Sequence, residues 1–271
     1  MQNYQNYQKL EAGDVRLAGK RTQDGVESHL LVVQTPFAYR RVAELFRPEV
    51  DGSYASILYI HWYEPPSPDS NRSQFVEEAR EMARAGSVCL LIETLWSDYD
   101  FFLKRTQAED LQNSFEEVVN IRRAIDLLLS QPGVDTSRFA LVGHDFGGMY
   151  GVLAGSLDRR PSHYVVMAAT PRFPDWYLYA PKLEGEAREE FVRQFSGLDP
   201  IAHIPNLAPA PILFQFGMDD PHVPKERAEE FFHAAVKPKE LKWYNSGHGL
   251  NDEAASDRKS WLKEHLGLNR E

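Results

Sequence analysis

Two rhythms of apolar and polar positions run along this chain. Ser28 to Thr35 and Ala38 to Phe46 alternate β-branched or aromatic residues with polar ones, the period of a half-buried hairpin. From Ala55 onward the pattern changes to short strand-like runs: Ala55 to Trp62, Val88 to Thr94, Arg138 to Gly143, His163 to Ala169, Pro211 to Gly217 and Glu240 to Tyr244. Between and after them lie stretches with helical spacing, Asn71 to Ala85, Ala108 to Gln131, Lys225 to Val236 and Glu253 to Leu266. Runs without alternation suit strands covered on both faces. The sequence therefore predicts an α/β fold, a mostly parallel sheet with helices on both sides and the first hairpin as an antiparallel edge. One domain is expected over residues 25–271, preceded by a flexible polar extension over 1–24. The interval Pro171 to Leu207 shows no strand pattern; it is aromatic at first and then charged from Glu184 to Phe195, and it reads as a small lid.

Composition narrows the range of partners. The 271 residues are 42% apolar, enough for a full core. Forty acidic residues against 30 basic ones give a net charge of −10, and no dense Lys/Arg cluster is present to neutralise phosphates. Neither nucleic acid nor an anionic membrane is an expected partner. The single cysteine, Cys89, lies in an apolar run and is expected to be a buried structural thiol. The amino terminus has no apolar core of a signal peptide, and no stretch reaches the roughly 18 apolar residues of a membrane span. A cytoplasmic protein without a cofactor, acting on a small molecule, is the expectation; a homodimer stays open.

The chemistry is concentrated around Gly143-His144-Asp145-Phe146-Gly147, where an apolar run meets a tight turn and then a small-residue helix. Strand, elbow and helix in that order expose a nucleophile at the end of a strand, and glycines two residues to either side let the chain bend and pack. Here a carboxylate, Asp145, holds the position usual for a serine. Its partners should follow later in the chain, each in a loop after a strand. The run ending Gly217-Met218-Asp219-Asp220 supplies an acid, Asp220 or its neighbour Asp219, and Gly247-His248-Gly249 supplies a base, His248. For an oxyanion, the elbow geometry offers the backbone N–H of Phe146, and the loop after Ile60 offers a second donor, Trp62.

In the order nucleophile, acid, histidine, the chain resembles the α/β-hydrolase superfamily over roughly residues 25 to 267. Its layout, with a short lid and Val134-Asp135-Thr136-Ser137-Arg138 leading to the elbow, looks most like dienelactone-hydrolase-like members, which typically carry Cys or Ser at the elbow. The aspartate is similar instead to haloalkane and fluoroacetate dehalogenases and to epoxide hydrolases. That resemblance implies attack of Asp145 on saturated carbon, an alkyl-ester intermediate, and its hydrolysis by water that His248 activates. It also implies a halide donor after the aspartate, where this chain has Phe146, and lid tyrosines as proton donors, for which Tyr177 and Tyr179 are the candidates. Two other readings stay open: an esterase or lactonase in which His248 activates water directly, and a ligand-binding member of the fold without catalysis.

Several other residues carry a plainer expectation. His144 and His61 are expected to pack or hydrogen-bond around the elbow. His222 has no third ligand at suitable spacing, so no metal site is expected. Glu64 and Glu93 follow apolar runs on the side of the pocket and read as solvated or capping carboxylates, while Trp62, Trp96 and Trp176 serve equally as pocket walls or core.

Overall fold

The computed structural model describes residues 6–65, 67 and 69–268. Their backbone forms a nine-stranded sheet from β1 (Val15–Gln23), β2 (Val26–Gln34), β3 (Arg40–Pro48), β4 (Tyr54–Ile60), β5 (Ser87–Ile92), β6 (Val134–His144), β7 (His163–Met167), β8 (Ile212–Gly217) and β9 (Lys239–Tyr244). The order across the sheet is β1-β2-β3-β5-β4-β6-β7-β8-β9. The first three strands are antiparallel, β3 pairs antiparallel with β5, and every pairing from β5 to β9 is parallel.

The longer helices are α1 (Val76–Arg84), α3 (Gln107–Leu129), α4 (Phe146–Leu157), α6 (Gly185–Phe195), α8 (Lys225–Ala234) and α9 (Asp252–His265); α2 (Phe101–Lys104), α5 (Pro174–Tyr177) and α7 (Pro200–His203) are single turns. One face of the sheet packs α3, α4, α6 and α8 into a core that includes Ile121, Ile125, Met149, Leu153 and Phe231. The other face packs α1 and α9 through Ala79, Met82, Trp261 and Leu262. Burial on both faces explains the unbroken apolar runs of β4 and β5, every residue of which is buried.

The expected boundary at residue 25 is wrong. Val15–Gln23 is a sheet strand, joined to β2 by the turn residues Asp24 and Gly25, both at positive φ (51° and 74°). Asp-Gly in a two-residue hairpin is a turn signal that the sequence carried in plain view. What hid the strand is its edge position: Arg16, Lys20 and Arg21 are among its exposed residues, so it shows no apolar alternation. The preceding residues are also held, since Arg123 Nη1 donates to the carbonyls of Gln8 (2.8 Å) and Lys9 (2.9 Å) and Tyr7 Oη donates to Asp126 (2.9 Å). Residues 1–5 lie outside the described residues.

The interval 171–207 contains no strand, as expected, and folds into α5, α6 and α7. Arg105, at the foot of α3, holds its start: the guanidinium pairs with Asp110 and donates to the carbonyls of Tyr177 and, at 2.6 Å, Ala180. Cys89 is fully buried, and burial pushes its thiol up to about 12, well away from thiolate chemistry. Among the described residues no helix is long and apolar enough to cross a membrane.

Candidate active site

Asp145 lies between the last residue of β6 and the first of α4 with φ 54° and ψ −119°, a conformation that L-residues rarely adopt. Holding it there costs about 1–3 kcal/mol, which persists only where surrounding structure over-determines the turn. The determinants are visible: the Asp145 N–H donates to Met167 on β7 (2.8 Å), and its carbonyl accepts from Met149 in α4 (2.9 Å). Side chains are excluded on both sides. A Cβ on Gly143 would lie 2.3 Å from the carbonyl oxygen of Gly147, and one on Gly147 would lie 2.1 Å from that of Ile60. The glycine spacing that marked the elbow in the sequence is thus a requirement of close backbone approach.

β8 and β9, on the same side of β6, deliver the other two groups at their carboxyl ends. His248 Nδ1 donates to Asp220 Oδ2 at 2.8 Å, which decides between the two adjacent acids: Asp220 is the partner, and Asp219 is exposed. Asp220 is itself fixed, because its Oδ1 accepts the backbone N–H groups of His222 (2.8 Å) and Val223 (3.1 Å). The remaining ring nitrogen, His248 Nε2, lies 3.9 Å from Asp145 Oδ2. That distance is too long for a hydrogen bond. Asp145 Oδ1 and His248 Nε2 are accordingly buried polar atoms without partners. Asp145 is 1% exposed and His248 6%.

Burial and charge set the protonation states. Burial lowers the proton affinity of His248, but the carboxylates of Asp145 and Asp220 outweigh it and raise the imidazole to about 9. Burial raises Asp145 above the ordinary carboxylate value, opposed by His248 and by the N–H of Phe146. Burial acts on Asp220 in the same sense, but the hydrogen bonds from His248, His222 and Val223 carry it below the ordinary value. The two acidic side chains on either side thus favour a proton on His248.

A second layer of polar residues locks this arrangement. His144 Nε2 donates to the backbone carbonyl of His248 (2.9 Å), and its Nδ1 accepts from Gln74 Nε2 (2.6 Å). Burial drives its proton affinity well below the usual histidine range, so the neutral tautomer is the one these two bonds require. Gln74 Oε1 accepts the backbone N–H of Trp62 at 3.2 Å. The expected second oxyanion donor is therefore already engaged, while Phe146, first residue of α4, keeps an N–H without an intrahelical acceptor. Gln74 carried no motif and could not have been found from sequence. His61 is structural, as expected: its ring bonds the Trp62 carbonyl (2.8 Å), Ser97 Oγ (2.8 Å) and Thr94 Oγ1 (2.9 Å), and burial lowers it to about 4. Glu93 accepts the Val42 N–H (2.7 Å) and is a strand partner rather than a site acid.

The two candidate proton donors part company. Tyr177 is fully buried with its hydroxyl 2.6 Å from that of Tyr150, in a cluster that Ser114 Oγ joins at 2.7 Å from Tyr150. Its hydroxyl is hydrogen-bonded within the core beneath the elbow. Tyr179 is 59% exposed, its ring 5.9 Å from that of His222 at the rim. The lid residue that reaches the site is Trp176, whose ring centroid lies 5.4 Å from that of His248 and 5.9 Å from that of Phe146. Trp62 closes the other side, stacked on His144 at 5.0 Å and 4.9 Å from His248. Trp96 is core, fully buried and stacked on Phe146 and Tyr150.

Comparison with known proteins agrees with this architecture. A family model described as the prolyl oligopeptidase family matches residues 100–268. Acylamino-acid-releasing enzyme of Mus musculus is 27% identical over 181 residues, covering 56% of this chain and 24% of that protein, so the chain spans about a quarter of this relative's length. Among solved structures, an acetyl xylan esterase from Paenibacillus sp. R4 superposes with a TM-score of 0.79 at 17% identity, covering 97% of this chain and 91% of the other. Acetyl xylan esterase 1 from Thermoanaerobacterium sp. JW/SL YS485 gives 0.73 at 16%, covering 92% and 87%. These similarities share the fold. The superfamily expected from the motifs stands, and within it the match over more than half of the residues places the chain: it belongs to the prolyl oligopeptidase family and is an α/β-fold hydrolase.

Proposed function

We propose that this hydrolase cleaves small esters with Asp145 as the base and His248 as the acid. The observation that carries this reading is the pair itself: an imidazolium with a raised proton affinity faces, at 3.9 Å, a buried carboxylate with a partnerless oxygen. Groups whose surroundings set them in opposite protonation states divide the work of an acid and a base. Asp145 takes a proton from water as the water oxygen attacks the acyl carbon. His248 Nε2 gives its proton to the leaving alkoxide oxygen, and the proton on Asp145 then returns to the imidazole, so one ester and one water become one acid and one alcohol. The protonated state of His248 counts against direct activation of water by this imidazole. Ester chemistry also agrees with the two structural neighbours named as acetyl xylan esterases. The aromatic walls Trp62, Phe146 and Trp176 suit a small, largely apolar acyl or alkyl group.

A second reading is favoured by the backbone N–H of Phe146, which begins α4 next to Asp145, has no intrahelical acceptor and counters the rise that burial gives the Asp145 carboxyl. In it Asp145 attacks saturated carbon of an epoxide or halogenated compound and displaces the epoxide oxygen or halide. The resulting alkyl ester is neutral, so His248 keeps only Asp220 to hold its proton and becomes able to deprotonate water for the second step. Single turnover in ¹⁸O-labelled water, followed by mass analysis of the peptide containing position 145, separates the two. Label confined to the product acid supports the ester reading; label in the Asp145 carboxylate overturns it in favour of the covalent route.

A further inference from the structure

The indole N–H of Trp176 is a feature of the lid that nothing in the site yet explains. Trp176 Nε1 is shielded from solvent and has no hydrogen-bond partner. An indole nitrogen only donates, and a buried donor left unpaired is destabilising. The ring bearing it packs against His248 and Phe146, in the site where Asp145 Oδ1 and His248 Nε2 are likewise partnerless. Of the acceptors nearby, Asp220 takes three donors, from His248, His222 and Val223, while Asp145 Oδ1 takes none. Trp62, on the loop expected to stabilise developing negative charge, has spent its N–H on Gln74.

We infer that Trp176 supplies the missing donor and binds the acyl oxygen that becomes negative when water adds to the ester. This rests on the ester reading of the site and makes it narrower: the substrate carries its carbonyl oxygen toward the lid, and a carboxylate product places one oxygen on the indole. A neutral donor facing a charged oxygen forms a hydrogen bond stronger than a neutral pair, which offsets the cost of its isolation in the free protein. It also makes the lid part of the site rather than a cover, since α5 brings the indole against His248.

Acetate is the probe. Asp145→Asn protein, freed of the carboxylate that repels an anion, is titrated with acetate by calorimetry, alone and with Trp176→Phe added. The expected result is binding weakened about tenfold or more by the second substitution, in line with the loss of one hydrogen bond to a charged group. Equal affinity in both proteins, or no acetate binding to either, overturns the assignment. A second measurement needs no change at position 176: in Asp145→Asn protein with ¹⁵N-labelled tryptophan, the assigned indole N–H signal of Trp176 is expected to move as acetate is added, and an unmoved signal overturns the inference equally. The two proposals fail differently. Acetate binding that depends on Trp176, in a wild-type protein that turns over no ester, removes the ester reading and leaves the anion-binding indole.

Discussion

His248 Nε2 stops 3.9 Å from Asp145 Oδ2, and this short gap between an imidazole and a carboxylate governs how the protein responds to pH. The folded proton affinity of His248, about 9, lies above its ordinary 6.5. Its contribution to stability is therefore complete below about 6.5 and is lost as pH rises through 9. The same titration removes the acid of the proposed ester reaction, so turnover should fall on the alkaline side with an apparent pKa near 9. Ring NMR titration and a pH profile of kcat check both; an imidazole that titrates at its ordinary value sinks the acid assignment.

Asp145→Asn should separate folding from chemistry. Asparagine tolerates positive φ as aspartate does, so the variant should fold. Turnover should drop by about 10²–10⁴-fold, the usual worth of a positioned acid or base. With one of its two carboxylates gone, His248 should titrate at lower pH than in the wild type. A variant that keeps wild-type activity would show that this carboxylate is a bystander.

The adjacent acids give an internal control. Asp220→Asn leaves a side chain of the same shape but no charge to orient and stabilise the imidazolium, and kcat should fall by about 10³–10⁴-fold, as for other buried acid partners of a catalytic histidine. Asp219 is exposed, and Asp219→Asn should change neither activity nor stability beyond about 0.5 kcal/mol. Comparable losses in the two variants would contradict the hydrogen bond from His248 to Asp220.

Tyr177→Phe tests whether the lid tyrosine does chemistry. Its hydroxyl is 2.6 Å from Tyr150, inside the core, so its loss should lower stability by about 1 kcal/mol in denaturant titration and leave kcat within a factor of two. A large fall in kcat with unchanged stability would restore Tyr177 as a proton donor.

Much of this was legible because its causes are local or periodic. The strands β2 and β3 follow from half-buried alternation, β4 and β5 from apolar runs that burial on two faces demands, and the elbow from two glycines whose missing side chains make room for the carbonyls of Gly147 and Ile60. Where the reading failed, a local signal competed with a weak one. The Asp24-Gly25 turn announced β1, but its charged edge strand carried no apolar rhythm to confirm it. Tyr177 sat in an aromatic cluster where position along the chain says nothing of direction, and its side chain turned toward Ser114 and Tyr150.

The sequence by itself determined the order of strand, elbow and helix, the carboxylate at the bend, and the acid and histidine that follow later strands, because each depends on residues within a few positions of one another. Only the tertiary structure decided that Asp220 rather than Asp219 meets His248, that Gln74 engages the Trp62 N–H while His144 grips the His248 loop, and that Trp176 keeps a buried donor beside the imidazole. These relationships join residues 12 to 104 positions apart, and Trp176 to His248 across the lid. They are set by how helices and loops pack over the sheet, where a shift of one ångström makes or breaks a hydrogen bond and no spacing in the chain records it.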